Sequence, residues 1–275
     1  MQKGQIALGA GTIALALVLY FAGKTTNKEQ NTDKKQSTAV VLSIEDFEKM
    51  QLSKLSTDEQ SQSNAILSTI KRVDKNDTAS LKKLYLQYST FWNPKNKSIG
   101  AYYFYQFANI EATKLAYTNA GDAMIDAYKN GVDSVISNNL ITFALRSYEN
   151  ALQKDSNDVE LKIKLAEVYV QGSQEPMKGI GILRDLNQKL PENIPVLLAL
   201  GRMAIQSGQN DKAKDRFQKI LQLEPQNTEA MYFLGITEAQ LGHKEEAIRV
   251  FEMCKLLVNN KDFDKEIDDI VKSLK

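Results

Sequence analysis

Apolar and polar positions along the chain fall into four patterns. Between Gly4 and Gly23 no charged residue interrupts an apolar run. Residues 24–40, KTTNKEQNTDKKQSTAV, show no apolar period at all. From Ser43 onward apolar residues recur at helical spacing, three or four apart, nearly to the end. The last fifteen residues place Phe263, Ile267, Ile270, Val271 and Leu274 on one stripe with charges between them, a single amphipathic helix over 261–275.

The first run is long enough to cross a bilayer. At about 1.5 Å per residue its length is roughly 30 Å, the thickness of the hydrocarbon core. Lys3 and Lys24 flank it, and Tyr20 and Phe21 stand near one end, where aromatic rings sit at the interface. A cleaved signal peptide would need small residues before the cut, but Tyr20 or Phe21 occupies the third-last place. We therefore expect a transmembrane anchor over 4–23 that holds the chain to a lipid bilayer. Ala7 and Gly11 have the spacing of close helix pairing, a pattern common by chance in Ala-rich spans. Orientation has two readings. The lysines at 24, 28, 34 and 35 would hold the following flank in the cytoplasm, whereas a short basic head before an apolar run presents the following domain outside. The second is preferred: a single-pass protein of a bacterial inner membrane with its soluble part outside the cytoplasm. Residues 24–42 form a flexible linker.

Helix starts and stops punctuate the next stretch, 43–156. Ser43-Ile-Glu-Asp46 resembles a capping box ahead of Ile44, Phe47 and Met50, and Thr57-Asp-Glu-Gln60 is a second one ahead of Ala65, Ile66 and Ile70. Asp77 or Thr78 opens a helix whose broad face is Leu81, Leu84, Tyr85, Tyr88, Phe91 and Trp92, stopped at Asn93-Pro94. Gly100 precedes Tyr102, Tyr103, Phe104, Tyr105 and Phe107, which suit helix–helix packing, with a buried strand as the alternative.

The last third repeats itself every 34 residues. Leu200-Gly201 recurs as Leu234-Gly235, Gly208 as Gly242, Ala213 as Ala247, and Phe217 as Phe251. Gly179, Leu183 and Pro191 stand 34 before Ala213, Phe217 and Pro225, and Leu165-Ala166 stands 35 before Leu200-Gly201. Small residues at Ala166, Gly201, Gly235, Gly179, Ala213 and Ala247 let paired helices approach, and Leu183, Phe217 and Phe251 fill the seam. Tyr169 is a large filler whose counterparts are Ala204 and Glu238, a departure that leaves tight packing there in question.

This pattern resembles the tetratricopeptide repeat, a helix-turn-helix unit of 34 residues. The resemblance covers three repeats over 157–260, with 261–275 as a capping helix. Ala144, Tyr148 and Ala151 resemble the second helix of an earlier, degenerate unit. Its first helix would run from Ala112 to Tyr128 with Gly121 as the small contact, displaced by about eleven residues around 129–139. The fold implied is all-α: an α-solenoid with additional amino-terminal helices, preceded by the membrane helix. On the same resemblance the first helices line a concave face that takes a protein or peptide partner. That face would hold Glu160, Ile163, Glu167 and Val170 from the first repeat, Leu198, Arg202, Ile205 and Gln206 from the second, and Tyr232, Ile236, Ala239 and Gln240 from the third. Arg202 and Tyr232 are the candidate anchors of a partner, outside the helix seam. The alternative is that the amino-terminal helices or the last helix cover this groove. Relatives that grip a terminal carboxylate use a Lys/Asn cluster; Ile163, Glu167, Ala199, Glu229 and Phe233 stand in those places, so that mode is not implied.

Composition narrows the chemistry. Lys+Arg 35 against Asp+Glu 34 shows none of the basic excess of a nucleic-acid binder. One Cys and one His, Cys254 and His243, leave no internal disulfide and no Cys/His zinc cage. Gly179-Ile-Gly181 lacks the Lys-Ser/Thr of a phosphate loop. His243 is expected to be solvated in a turn, and Cys254 to be a small buried apolar residue. No cofactor, metal or catalytic residue is implied. The leading expectation is a non-enzymatic, membrane-anchored interaction scaffold. Two others stand beside it: a periplasmic chaperone or assembly factor of the anchored-repeat type, and an enzyme with an unrecognised site in residues 44–130.

Overall fold

The computed structural model describes residues 42–130 and 134–275, and every described regular element is a helix. These are α1 (Ile44–Leu52), α2 (Thr57–Arg72), α3 (Thr78–Trp92), α4 (Lys97–Glu111), α5 (Lys114–Lys129), α6 (Ser134–Lys154), α7 (Val159–Gly172), α8 (Pro176–Lys189), α9 (Ile194–Gln206), α10 (Asn210–Leu223), α11 (Thr228–Gln240), α12 (Lys244–Val258) and α13 (Lys261–Leu274). The expected anchor at 4–23 and most of the 24–42 linker lie outside the described residues. Among the described residues no helix is long and apolar enough to cross a membrane. Two compact units are present, residues 42–199 and residues 200–275, with the division inside α9.

Local chemistry sets the helix ends. Ser43 caps α1 by accepting from the Asp46 N–H at 3.1 Å. The second capping box starts one residue before the expected place. Ser56, not Thr57, accepts from Glu59 N–H, and the Glu59 carboxylate accepts from Ser56 N–H at 3.0 Å. Two adjacent hydroxyls offer either register, and Glu rather than Gln takes the reciprocal role. Asp77 caps α3, and α3 ends at Asn93 before Pro94. The aromatic run is helical, within α4; Gly100 lies inside that helix because a Cβ there would sit 2.9 Å from Asn93 Cα. The first helix of the degenerate unit begins at Lys114 rather than Ala112. Ala112 is left-handed, with φ 52°, and closes α4, while Thr113 caps α5. The turns inside the last two repeats require glycine, with φ 71° at Gly208 and 84° at Gly242.

In the amino-terminal unit, α1 to α4 pack around Phe47, Tyr88, Trp92, Ile99 and Tyr103. Ile44 and Phe47 are buried as expected, but Met50 is 42% exposed and Glu48 is buried in its stead. Glu48 accepts hydrogen bonds from Tyr88 OH and from Tyr103 OH, the latter at 2.6 Å. Burial of the rings, with the Glu48 charge beside them, raises both phenol pKa values, so both remain donors. The residues inserted between the two helices of the degenerate unit lengthen α6 at its amino end. Ile136 in that extension joins the aromatic core, and Leu140 joins the core shared by α5 to α7. The insertion thereby ties the early helices to the repeats.

The seam of each repeat follows the expected register. A Cβ on Gly121 would come within 2.5 Å of the Tyr148 ring, on Gly201 within 2.5 Å of Phe217, and on Gly235 within 2.7 Å of Phe251. A Cβ on Gly179 would meet the Ala166 carbonyl at 2.3 Å. Phe217, Phe251, Ala213, Ala247 and Cys254 are fully buried. Burial pushes the Cys254 thiol up to about 12.

The place that corresponds to Tyr169 in the third repeat is filled and satisfied. Glu238 is 1% exposed; its carboxylate meets Lys214 Nζ at 2.9 Å and His243 Nδ1 at 2.7 Å. His243 therefore departs from the expectation of a solvated residue: half of its ring is exposed, and the rest closes over a buried carboxylate. Continuing the repeat period places α13 as the first helix of a further unit. Asp269, exposed, stands where Gly201 and Gly235 receive their second helices. The inner stripe of α13, Ile267 and Val271, is buried, so this helix caps the last repeat.

Candidate partner-binding faces

In the amino-terminal unit an open cavity of about 170 Å³ lies between the first helices α5 and α7, over α6. Its shape starts from Gly121. Without a Cβ there, the Tyr148 ring slides beneath α5 and its hydroxyl emerges at the cavity, donating to Asp122 Oδ1 at 2.6 Å. Lys164 from α7 donates to both Asp122 oxygens at 3.0 and 2.9 Å and lies 3.6 Å from Glu160. Burial, then the Asp122 charge, raises the Tyr148 pKa, so the phenol is a neutral donor. Ile125, Ile141 and Val168 supply apolar walls, and Glu167 and Gln171 line the side formed by α7.

Of the four residues expected from the first repeat, only Glu167 lines this cavity. Glu160 is exposed beside it, and Ile163 is 7% exposed, a core residue. Val170 turns toward α8, its Cγ2 2.8 Å from the Cβ position of Gly179. Leu198 is likewise buried. The helical period alone does not separate these from their neighbours, since a first helix is flanked on three sides. Ile125, Tyr148, Lys164 and Gln171 went unpredicted as site residues, although Gly121 paired with Tyr148 was a readable signal for the cavity floor.

In the carboxyl-terminal unit the corresponding face is bridged. Arg202 donates to Glu229 Oε1 at 2.7 Å and stacks over Phe233 at 6.0 Å. Ile205, Ala239 and Gln240 are half-buried, and Gln206 is exposed. Tyr232 and Ile236 are 5% and 6% exposed, which corrects the expectation that Tyr232 stands free of the packing. The Tyr232 ring meets Phe251 and Phe263 edge-on or tilted at 6.1 and 6.0 Å, and its hydroxyl donates to Glu266 of α13 at 2.9 Å. The capping helix covers this part of the face. A second cavity, about 450 Å³, lies on the side of the second helices α10 and α12, among Leu221, Gln222, Leu234, Arg249 and Met253.

The buried carboxylate of residues 44–130, Glu48, sits in the packed aromatic core and lines neither cavity.

Residues 204–258 match the family model described as tetratricopeptide repeat. That segment, about a fifth of the chain, is therefore similar to the tetratricopeptide repeat. No curated protein matches the chain. Among solved structures it is similar to the Thermus thermophilus repeat protein TTC0263, at 15% identity and TM-score 0.49, covering 68% of this chain and 97% of that one. It is similar also to YrrB, described as a repeat protein with an unusual peptide-binding site, at 16% identity and TM-score 0.43, covering 75% and 99%. MamA from Desulfovibrio magneticus gives 16% identity and TM-score 0.46, covering 66% and 97%.

Proposed function

We propose that this chain is a membrane-anchored interaction scaffold that binds a peptide segment of a protein partner along its first helices. The observation that carries the reading is the cavity between α5 and α7, where Ile125, Ile141 and Val168 can take an apolar side chain beside the Asp122–Lys164–Tyr148 cluster. The anchor is residues 4–23 and the linker 24–42, with the repeats on the outer side of a bacterial inner membrane. Support for that part is the uncharged run and its flanking lysines.

The test is selection of 12-residue peptides from a random library on the full chain in detergent. The counter-target is a groove-blocked variant, Ile125→Arg with Ile205→Arg, whose melt is checked first. Peptides enriched on the wild type and lost on the variant support the reading; equal enrichment on both overturns it. For the anchor, a chain lacking residues 1–24 should be soluble with unchanged helicity. Aggregation or lost helicity would place that segment in the fold.

A further inference from the structure

The outer face of α12 departs from the repeat. Three places on the second helix of each repeat lie off the seam. In the first repeat they hold Asp185, Gln188 and Lys189, and in the second Lys219, Gln222 and Leu223. In the third they hold Met253, Leu256 and Leu257, which are 43%, 80% and 43% exposed. Polar places have become an apolar stripe with the i, i+3, i+4 spacing of one helix face. The opposite face of α12 is occupied by the seam, where Ala247, Phe251 and Cys254 are fully buried. Leu86 on α3, Leu115 on α5 and Met177 on α8 are exposed too, but each stands alone among the described side chains of its helix. Single exposed apolar residues are ordinary, whereas a contiguous stripe marks a contact surface.

The stripe adjoins a recess. Met253 is also a wall of the cavity of about 450 Å³, whose apolar lining includes Leu221, Met231, Leu234 and Val250. A projecting Leu256 and a recess one turn away therefore lie on the same surface of one molecule. Knob and hole on one surface are what a two-fold contact needs, since each copy offers both. An antiparallel pair of α12 helices, with the axis between Met253 and Leu256, sets Leu256 of each copy against Met253 of the other, at the mouth of its recess.

The charges around the stripe permit this self-contact and disfavour other occupants. Arg249 is held by Glu246, Nε donating at 2.9 Å, and Lys255 is held by Asp268 at 2.6 Å and Glu252 at 3.3 Å. A two-fold contact opposes a rim to its own copy, and a rim of one sign would repel itself; this rim is paired. In the antiparallel register Arg249 faces the uncharged Asn259 and Asn260 of the second copy, so no like charges meet. Anionic lipid headgroups and nucleic-acid phosphates are drawn to unpaired cations, which Arg249 and Lys255 are not.

We infer that the outer face of α12 binds a second copy of this chain across a two-fold axis, through Met253, Leu256 and Leu257. The contact uses the side of the second helices, so it goes beyond the scaffold reading and does not depend on it.

Light scattering of the full chain in detergent, over a concentration series, measures the association. Leu256→Glu and Met253→Lys each put a charge into an apolar contact and should weaken it by on the order of 10-fold or more. Both side chains are exposed, so the thermal melt of each variant should match the wild type. Mixed in equal amounts, the two variants should pair with each other. The axis then brings the introduced lysine of one copy against the introduced glutamate of the other and keeps one native contact between Leu256 and Met253. Met177→Glu, at an exposed apolar residue away from the stripe, should associate like the wild type. The inference is overturned if the wild type stays monomeric throughout, if Leu256→Glu associates as tightly as the wild type, or if the mixture stays monomeric. A monomeric wild type that retains library peptides lost on Leu256→Glu would also overturn it, and would assign the stripe to a different protein.

Discussion

The two units answer one packing problem with different residues at the same register. In the carboxyl-terminal unit Gly201 and Gly235 receive Phe217 and Phe251, and both rings are fully buried. In the amino-terminal unit Gly121 receives Tyr148. Phenylalanine ends in carbon and closes its seam. Tyrosine carries the same ring but ends in a hydroxyl that needs a partner when buried, and it finds Asp122 on the face of the first helices. One oxygen atom therefore converts a packing position into the floor of a polar cavity. The carboxyl-terminal unit spends its polar groups on bridges instead, Arg202 to Glu229 and Tyr232 to Glu266.

The strongest way to break the comparison is to empty a closed seam. Phe217→Ala should cost about 3–5 kcal/mol, the transfer term plus the void left beside Gly201. Urea denaturation of the full chain measures it. A loss below about 1 kcal/mol would mean that the ring is not the seam filler and that the shared register is wrong.

Next comes the bridged face. Tyr232→Ala should cost about 2–4 kcal/mol, since the ring is buried among Phe233, Phe251 and Phe263. Arg202→Ala, a half-exposed pair, should cost about 1 kcal/mol or less. Equal effects would show that the α13 cover is not what buries Tyr232.

How much of this was legible follows from the same residues. The small-residue and aromatic pairs were readable because repetition every 34 residues samples one contact several times. The burial of Tyr232 was not legible in its own repeat, because it depends on α13. Yet Glu266 stands 34 residues after Tyr232, so extending the period one more step would have placed its partner. In the sequence Glu238 is a departure and no more. Its partners, Lys214 and His243, come from a neighbouring helix and a turn, and neither recurs with the period. Val170 and Ile163 fit the expected face by helical spacing, but a helix packed on three sides buries residues that a wheel assigns to solvent.

A smaller effect tests the buried carboxylate. Lys214→Met leaves Glu238 with His243 alone. A fully buried broken pair costs about 3–5 kcal/mol; with Lys214 29% exposed, about 1–3 kcal/mol is expected. The hydrogen bond to Glu238 raises the Lys214 pKa above its usual value. The stabilisation is therefore complete below about pH 10.4, the unfolded value, and fades as pH rises through the raised folded value. Wild type and variant should differ by a constant amount from about pH 7 to 9 and converge only in strong alkali. A gap that closes below about pH 9 would assign the stabilisation to another group.

A change about as small as that of Arg202→Ala should come from the residue that distinguishes the units. Tyr148→Phe keeps the ring under Gly121 and removes only the hydroxyl. Asp122 retains both contacts to Lys164, so no buried carboxylate is stranded, and the cost should be about 1 kcal/mol. The converse change, Phe217→Tyr, puts a hydroxyl into a seam whose neighbours are Gly201 and Phe233. It should cost more, about 1–3 kcal/mol, since a buried hydroxyl there has no acceptor built for it. The asymmetry is the test: the same single atom is cheap to remove where Asp122 waits for it and costly to add where none does. Chemical denaturation of both variants decides it. Equal costs would mean that the Tyr148–Asp122 bond contributes nothing special, and the polar floor of the amino-terminal cavity would then be a consequence of exposure rather than of the residue at the seam.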